Sequence, residues 1–317
     1  MTDFEPPAGL TRVLEHLRGL AARRNATLAR PPVDQLRVYR EVVDDYFAAD
    51  PACVTVQRGV AVRPIDAAGR RGEWLLPPGA DPRRRLLYIH GGGFIAGGIA
   101  SHRGPASRLG LACGAATLIF EYRLAPEHRF PACLDDCVDV CTWVLANGPD
   151  GPAPASSLWL AGDSAGGTLA ISTLLRLRGD RRPMPHAAVL LSPLTDLTAS
   201  GDSIRTRAAV DPIIVPEAPQ RAAALYLPPG HDPRDPLASP LFADLHGLPP
   251  LLIHVGDAEV MRDDSTRLAE RAAAAGVAVE LRVWPRMPHV FTGFGPILPE
   301  ANASIDAVAT WLRTSFG

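Results

Sequence analysis

The sequence predicts an α/β fold, a mostly parallel sheet covered by helices on both faces. Two observations carry this. Short, near-continuous apolar runs alternate with stretches of helical period along most of the chain. The chain is also large enough to bury such a core, with 317 residues of which 47% are apolar.

Taken in order, Leu10, Val13, Leu14, Leu17 and Leu20 recur at helical spacing and predict a helix over 10–21, with a second over about 33–47. Strands are expected at 54–62 and 72–76, divided by the turn-rich AAGRRG. RLLYIH (85–90) and ATLIFEYR (116–123) are the next strands, and a helix follows over about 132–146. LWLAG (158–162) runs directly into a helix over about 165–178, and AAVLLS (187–192) is the strand after it. LLIHV (251–255), a helix over about 265–275, the strand VAVELRVW (277–284) and a helix over about 299–315 complete the pattern. The stretch 195–247 breaks the alternation. It is rich in Pro and Asp, has one helical piece near 219–227, and has the length of a lid or pocket wall. The expected organisation is therefore N-terminal cap helices over 1–50, a core formed by 51–194 and 248–317, and a cap or lid insertion over 195–247.

Composition removes several functions. The formal net charge is −2, which gives no electrostatic case for nucleic acid as a partner. All 32 basic residues are Arg, so Schiff-base lysines, Walker-A lysines and Ser-Lys dyads are impossible. The start, MTDFEPPAGL, does not read as a signal peptide, and no apolar run approaches the ~20 residues needed to span a bilayer. A cytoplasmic protein with no membrane span is expected. Cys133, Cys137 and Cys141 fall on one face of a helix, where small apolar core residues are expected rather than metal ligands.

Gly162-Asp163-Ser164-Ala165-Gly166 matches G-x-S-x-G between a buried strand and a helix. A turn there lifts the Ser164 hydroxyl above the strand end at a helix N-terminus, which favours developing negative charge. Taken alone, the motif also fits a glycine-rich turn with a capping serine. His90-Gly91-Gly92-Gly93-Phe94 follows RLLYIH directly, and successive glycines offer N–H donors to an oxyanion. A nucleophilic serine needs a base and an orienting acid, in the chain order Ser, acid, His for a nucleophile elbow of this kind. Of the histidines after Ser164, only His289 follows the last strand, in the Pro- and Gly-rich PRMPHVFTGFG. The acid should lie after LLIHV. Asp263 and Asp264 sit at a helix start, where capping explains them, which leaves Asp257 and Glu259 both open.

With these pieces in view, the sequence resembles the hormone-sensitive-lipase-like, or bacterial family IV, carboxylesterases in their GDSAGG branch. The matching segments are HGGGF (90–94), EYRLAPEHRFPA (121–132), GDSAGG (162–167), SPLTDLT (192–198), DPLASPL (235–241), GDAEVMRDDS (256–265) and PHVF (288–291). The resemblance implies an α/β-hydrolase sheet of about eight strands with a helical cap. It implies hydrolysis of short- to medium-chain carboxylic esters without a cofactor or metal. It makes Ser164 the nucleophile, His289 the base, and Gly92, Gly93 and Ala165 the oxyanion donors. His90 would hold the glycine loop, and Asp163, Glu127 and Asp196 would brace loops around the elbow. The family pattern of a carboxylate, two apolar residues, Arg and Asp places the acid at Glu259, where most members have Asp; Asp257 is the fallback.

A lactone hydrolase, amidase or formamidase on the same triad is the alternative. Plant gibberellin receptors share the fold but have lost a catalytic residue; here Ser, His and a carboxylate are all present, which argues against a non-catalytic receptor. Family members often dimerise through the C-terminal edge strand, which is VAVELRVW here, so a homodimer is implied. Phe4, Phe47, Leu225, Tyr226 and Phe242 are candidates for the walls of the substrate pocket, although ordinary core packing is the favoured reading for each.

Overall fold

Eight apolar segments pair into one sheet in a computed structural model that describes residues 7–316. They are β1 (Ala61–Ala67), β2 (Arg70–Leu76), β3 (Asp81–Ile89), β4 (Ala115–Phe120), β5 (Ser157–Asp163), β6 (Ala187–Leu191), β7 (Leu251–Gly256) and β8 (Val279–Trp284). Their order across the sheet is β1-β2-β4-β3-β5-β6-β7-β8. Only β2 runs against the rest, because a two-residue turn at Ala68 and Gly69, both at positive φ, folds β1 back onto it. The other neighbours are parallel and need crossovers. Helices α4 (Ile99–Cys113), α5 (Ala132–Ala146), α6 (Ala165–Gly179) and α9 (Arg262–Ala274) supply all but the one between β6 and β7, and α10 (Pro299–Phe316) closes the chain. Helices α1 (Ala8–Asn25), α2 (Pro32–Asp44) and the single turn α3 (Pro51–Val54) precede the sheet. The insertion between β6 and β7 holds a turn, α7 (Ser203–Thr206), and a helix, α8 (Ala218–Tyr226). Among the described residues, no helix is long and apolar enough to cross a membrane.

Successive side chains on a strand point to opposite faces, and in the central strands both faces are buried. Along β3, Leu87 and Ile89 enter the layer under α5 and α6, while Leu86 and Tyr88 enter the layer with α4 and α10. The face of α5 that carries Cys133, Cys137 and Cys141 lies in the first of these layers, and burial pushes the Cys133 and Cys141 thiols up to about 12. A third cluster joins Leu17, Val42, Tyr46 and Phe47 of the N-terminal segment to Ile213, Val290 and Phe294.

Two elements depart from the sequence reading. The expected strand over 54–62 begins only at Ala61. Asp50 accepts a hydrogen bond from the Ala52 N–H at 2.9 Å and Pro51 opens α3, so this segment starts as a capped helical turn. Helix α4 has no counterpart in the periodicity, because Gly104, Pro105 and Gly110 in its interior are residues that normally disfavour helix. Packing overrides that cost: a Cβ at Gly104 would lie 2.5 Å from the Cys53 carbonyl oxygen, so the glycine lets α3 and α4 touch.

Asp136 ties α5 to the sheet. It is fully buried and accepts from the Arg123 backbone N–H at 2.8 Å and Nη2 at 2.7 Å, with Arg70 Nη2 also at 2.8 Å. Replacing Asp136 by Ala strands a backbone donor and two guanidinium groups. The expected cost is about 3 kcal/mol, the low end for a broken buried pair because the arginines are partly solvated. A urea unfolding midpoint within error of the parent would contradict this.

Candidate active site

The end of β5 turns sharply into α6 at Ser164, whose φ is +51° and ψ −121°. The turn closes only because its neighbours lack side chains. A Cβ on Gly162 would sit 2.3 Å from the Gly166 oxygen, and one on Gly166 would sit 2.0 Å from the Ile89 oxygen. Ser164 therefore stands half-exposed at the N-terminus of α6, beside the end of β3. The Ala165 N–H is the first donor of that helix, without an intrahelical acceptor.

The loop after β3 is fixed from below by Asp163. This buried carboxylate accepts from Tyr88 Oη at 2.9 Å and the Gly91 N–H at 3.1 Å, and lies 3.4 Å from His102 Nε2. Burial alone would raise its pKa, but His102 and the Tyr88 hydroxyl hold it below the usual carboxylate range. Gly92, at φ +115°, has the Ala96 oxygen where a Cβ would be, only 2.2 Å away. The Gly91 N–H is taken, whereas those of Gly92 and Gly93 meet no acceptor among the described residues. His90 is buried, and that burial pushes it down to about 3. Its neutral ring lies flat on Tyr122, centroids 4.1 Å apart, with Nδ1 2.8 Å from the Gly91 oxygen. His90 thus contacts both the glycine loop and Tyr122.

His289 lies on the loop after β8, with 3% of its surface exposed. Its Nδ1 is 2.7 Å from Glu259 Oε2, and Glu259 is fully buried. The other Glu259 oxygen accepts from Ser192 Oγ at 2.6 Å and from the Gly256 N–H. Ser192 Oγ in turn accepts from the Val290 N–H at 3.1 Å, and Tyr46 Oη donates to the His289 carbonyl at 2.7 Å. Burial favours the neutral imidazole, but Glu259 outweighs it and His289 is raised above its ordinary value.

Asp257 lies elsewhere. Its side chain is 38% exposed and pairs with Arg207 at 2.9 Å and Arg262 at 3.3 Å. Asp264, fully buried and pushed up to about 7 by that burial, accepts from the Thr195 and Asp196 N–H groups. Asp196 holds Thr198, Ser200 and Arg267, and Glu127 holds Arg40 through both oxygens. The remaining carboxylates of these motifs thus bind loops.

Ser164, His289, Gly92 and Gly93 face one cavity of about 80 Å³, with Asp163 behind them. Ser164 and His289 make no hydrogen bond to each other across it among the described residues; such contacts commonly tighten only when substrate binds. Phe47 lines this cavity and Leu225 an adjoining one. Two other wall candidates are core residues: Tyr226 is fully buried against Phe94, rings 4.0 Å apart, and Phe242 packs on the main core under Arg234. Phe4 lies outside the described residues. Sequence reasoning missed Ser192, Tyr46, Tyr39 and His102, whose places depend on contacts between distant loops. SPLTDLT marked the neighbourhood of Ser192 but gave no role for its hydroxyl.

An eight-stranded sheet of this order with a serine at its strand–helix elbow defines an α/β-hydrolase. Comparison with known proteins agrees. The sequence model described as the alpha/beta hydrolase fold matches residues 86–293. An acetyl-hydrolase of Streptomyces hygroscopicus is 44% identical over 245 residues, 77% of this chain and 80% of that protein. An esterase of Acinetobacter venetianus is 35% identical over 270 residues, 85% of this chain and 86% of its own. A crystal structure of an esterase from the bacterial hormone-sensitive lipase family superposes with a TM-score of 0.87 at 40% identity, covering 99% of this chain and all of that one. The chain belongs to the α/β-hydrolase fold family, in its hormone-sensitive-lipase-like branch.

Replacing Ser192 by Ala removes a donor from buried Glu259 and an acceptor from the Val290 N–H. The expected loss of stability is about 1–3 kcal/mol. Unfolding in urea at neutral pH measures it, and an unchanged midpoint would show that Ser192 does not join these two loops.

Proposed function

We propose that this carboxylic ester hydrolase works by two-step acyl transfer with Ser164 as nucleophile, His289 as base and Glu259 as the acid that orients it. His289 takes the Ser164 proton as the oxygen attacks the ester carbonyl. The N–H groups of Gly92, Gly93 and Ala165 receive the oxyanion. His289 then protonates the leaving alcohol, and afterwards activates water to release the acid. Glu259 keeps the proton on Nδ1, so that Nε2 is free to act, and stabilises the imidazolium. The observation that carries this is the buried 2.7 Å contact between Glu259 and His289, with His289 on the same cavity as the elbow serine. The ion pairs of Asp257 favour Glu259 as the acid. Relatives named esterase and acetyl-hydrolase support short acyl esters as substrates.

Three further assignments belong to this reading. The cap expected over 1–50 and 195–247 is supported, for its described residues from 7 onward, by the cluster that joins Val42 and Phe47 to Ile213. All five cysteines are unpaired, which supports a reducing compartment such as the cytoplasm. Strand β8 pairs only with β7 and leaves Val283 41% exposed, which supports a homodimer through this edge. Val283→Pro is then expected to halve the mass measured by sedimentation; a monomeric parent would reject the dimer.

Ser164→Ala is expected to lower turnover of p-nitrophenyl butyrate by at least about 10⁴-fold with folding intact, and to abolish labelling by a fluorophosphonate probe. Glu259→Gln should cost about 10³–10⁴ in kcat, and Asp257→Asn less than about tenfold. The reverse ranking would make Asp257 the acid.

The base must be neutral to act, so kcat/KM is expected to fall with decreasing pH. Burial lowers the pKa of His289 and Glu259 more than offsets it, which puts the midpoint of that fall above the ordinary 6.5. In Glu259→Gln burial is opposed only by the charges of Asp211 and Asp163, and the midpoint should move to lower pH. A profile that does not move would separate Glu259 from the base.

A further inference from the structure

Beside the Ser164 cavity lies a larger one of about 670 Å³, within the range of small-molecule sites. Tyr39, Ala218 and Ala222 line both, so the two adjoin directly. The walls come from α2, α8 and the segments beside them, and Leu28, Leu36, Ile95, Val215 and Leu225 make them mainly apolar.

Two cations break this apolar lining, Arg24 at the end of α1 and Arg221 in α8. Arg24 is tied only to neutral acceptors, the Ile213 oxygen at 2.8 Å and Asn25 Oδ1 at 3.2 Å. Arg221 has no side-chain partner among the described residues. The single carboxylate in the described lining, Glu127, is already held by Arg40 at 2.9 and 2.6 Å. The cavity thus presents two positive charges and no uncommitted negative one. Burial holds Arg24 below its ordinary value and the charge of Arg221 adds to this, with Tyr39 and Asp211 opposing. Both guanidinium groups line the one cavity, so an anion received there would be attracted by each.

We propose that this cavity receives one arm of the ester substrate, an apolar chain ending in a carboxylate, with Arg24 and Arg221 binding that carboxylate while the ester carbonyl sits at Ser164. The proposal rests on the reading of Ser164 as nucleophile and adds to it a substrate class, amphiphilic esters with a remote anionic end. Guanidinium forks suit a carboxylate, and the apolar walls suit the chain between. Binding at a point remote from the reacting carbonyl supplies selectivity that the small catalytic cavity cannot.

The test compares ester pairs matched in length. Monomethyl suberate against methyl octanoate places the carboxylate on the acyl arm, and 8-acetoxyoctanoate against octyl acetate places it on the alcohol arm. In at least one pair the anionic ester is expected to have the higher kcat/KM, by about tenfold. Arg221 is exposed, so Arg221→Gln should fold, and it is expected to shrink that preference by about five- to tenfold, mostly through KM. Arg221→Glu should reverse it. No anionic preference in either pair, or a preference that survives charge reversal, would overturn the proposal. Hydrolysis of p-nitrophenyl acetate by the parent protein separates the two readings. If it proceeds, a missing preference rejects only the channel assignment; if it does not, the serine-hydrolase reading falls and this one with it.

Discussion

The site depends on how closely β3 and β5 approach at their C-terminal ends. Gly166 in the first turn of α6 presses on the Ile89 carbonyl, and there is no room for even one carbon at that contact. The close approach brings Ser164 beside the loop of Gly91, Gly92 and Gly93. Asp163 then locks them together, since it follows Gly162 directly in the chain and holds Gly91 through space. The Ser164 turn and the glycine loop are thereby referenced to one another through a single buried carboxylate. Parallel neighbouring strands make this possible, because both chains leave the sheet at the same edge.

His289 is positioned by a different device. Its loop leaves the edge strand β8, the least buried of the parallel strands, so the sheet alone would hold it loosely. Ser192, at the end of β6, reaches both Glu259 and the Val290 N–H, and Tyr46 from the N-terminal segment closes on the His289 carbonyl. The helices that cover the pocket therefore also steady the imidazole. Tyr46, Phe47 and Phe294 pack ring against ring and so connect the wall of the cavity to the His289 loop.

Burial gives similar carboxylates separate tasks. Asp163, surrounded by donors and His102, is held below the usual carboxylate range, whereas Asp264, equally buried and beside the like charge of Asp196, is pushed up to about 7. Glu259 faces the His289 imidazole on the cavity, while Asp257, two residues earlier, points to arginines at the surface. The two extra residues take the chain from the exposed turn after β7 back beneath the His289 loop.

Much of this was legible in the linear chain. The alternation of apolar runs specified a parallel sheet, because strands buried on both faces cannot contain regular polar positions. The glycines around Ser164 and after His90 specified an elbow and an open amide loop, because no other residue fits those backbones. Position after the last strand singled out His289. Local pattern did not reveal α4, whose Gly and Pro residues disfavour helix but admit a neighbouring backbone, nor the start of β1, where a capped turn replaced extended chain. It left Asp257 and Glu259 equivalent until the family resemblance favoured Glu259. The hydroxyl of Ser192, the phenol of Tyr46 and the two guanidinium groups of the cap cavity acquire their surroundings from segments far away in the chain. Spacing and composition determine which backbone shapes a segment can take; the partner of a buried charge is decided only when distant segments pack, because solvent is excluded and neighbours fixed at that step.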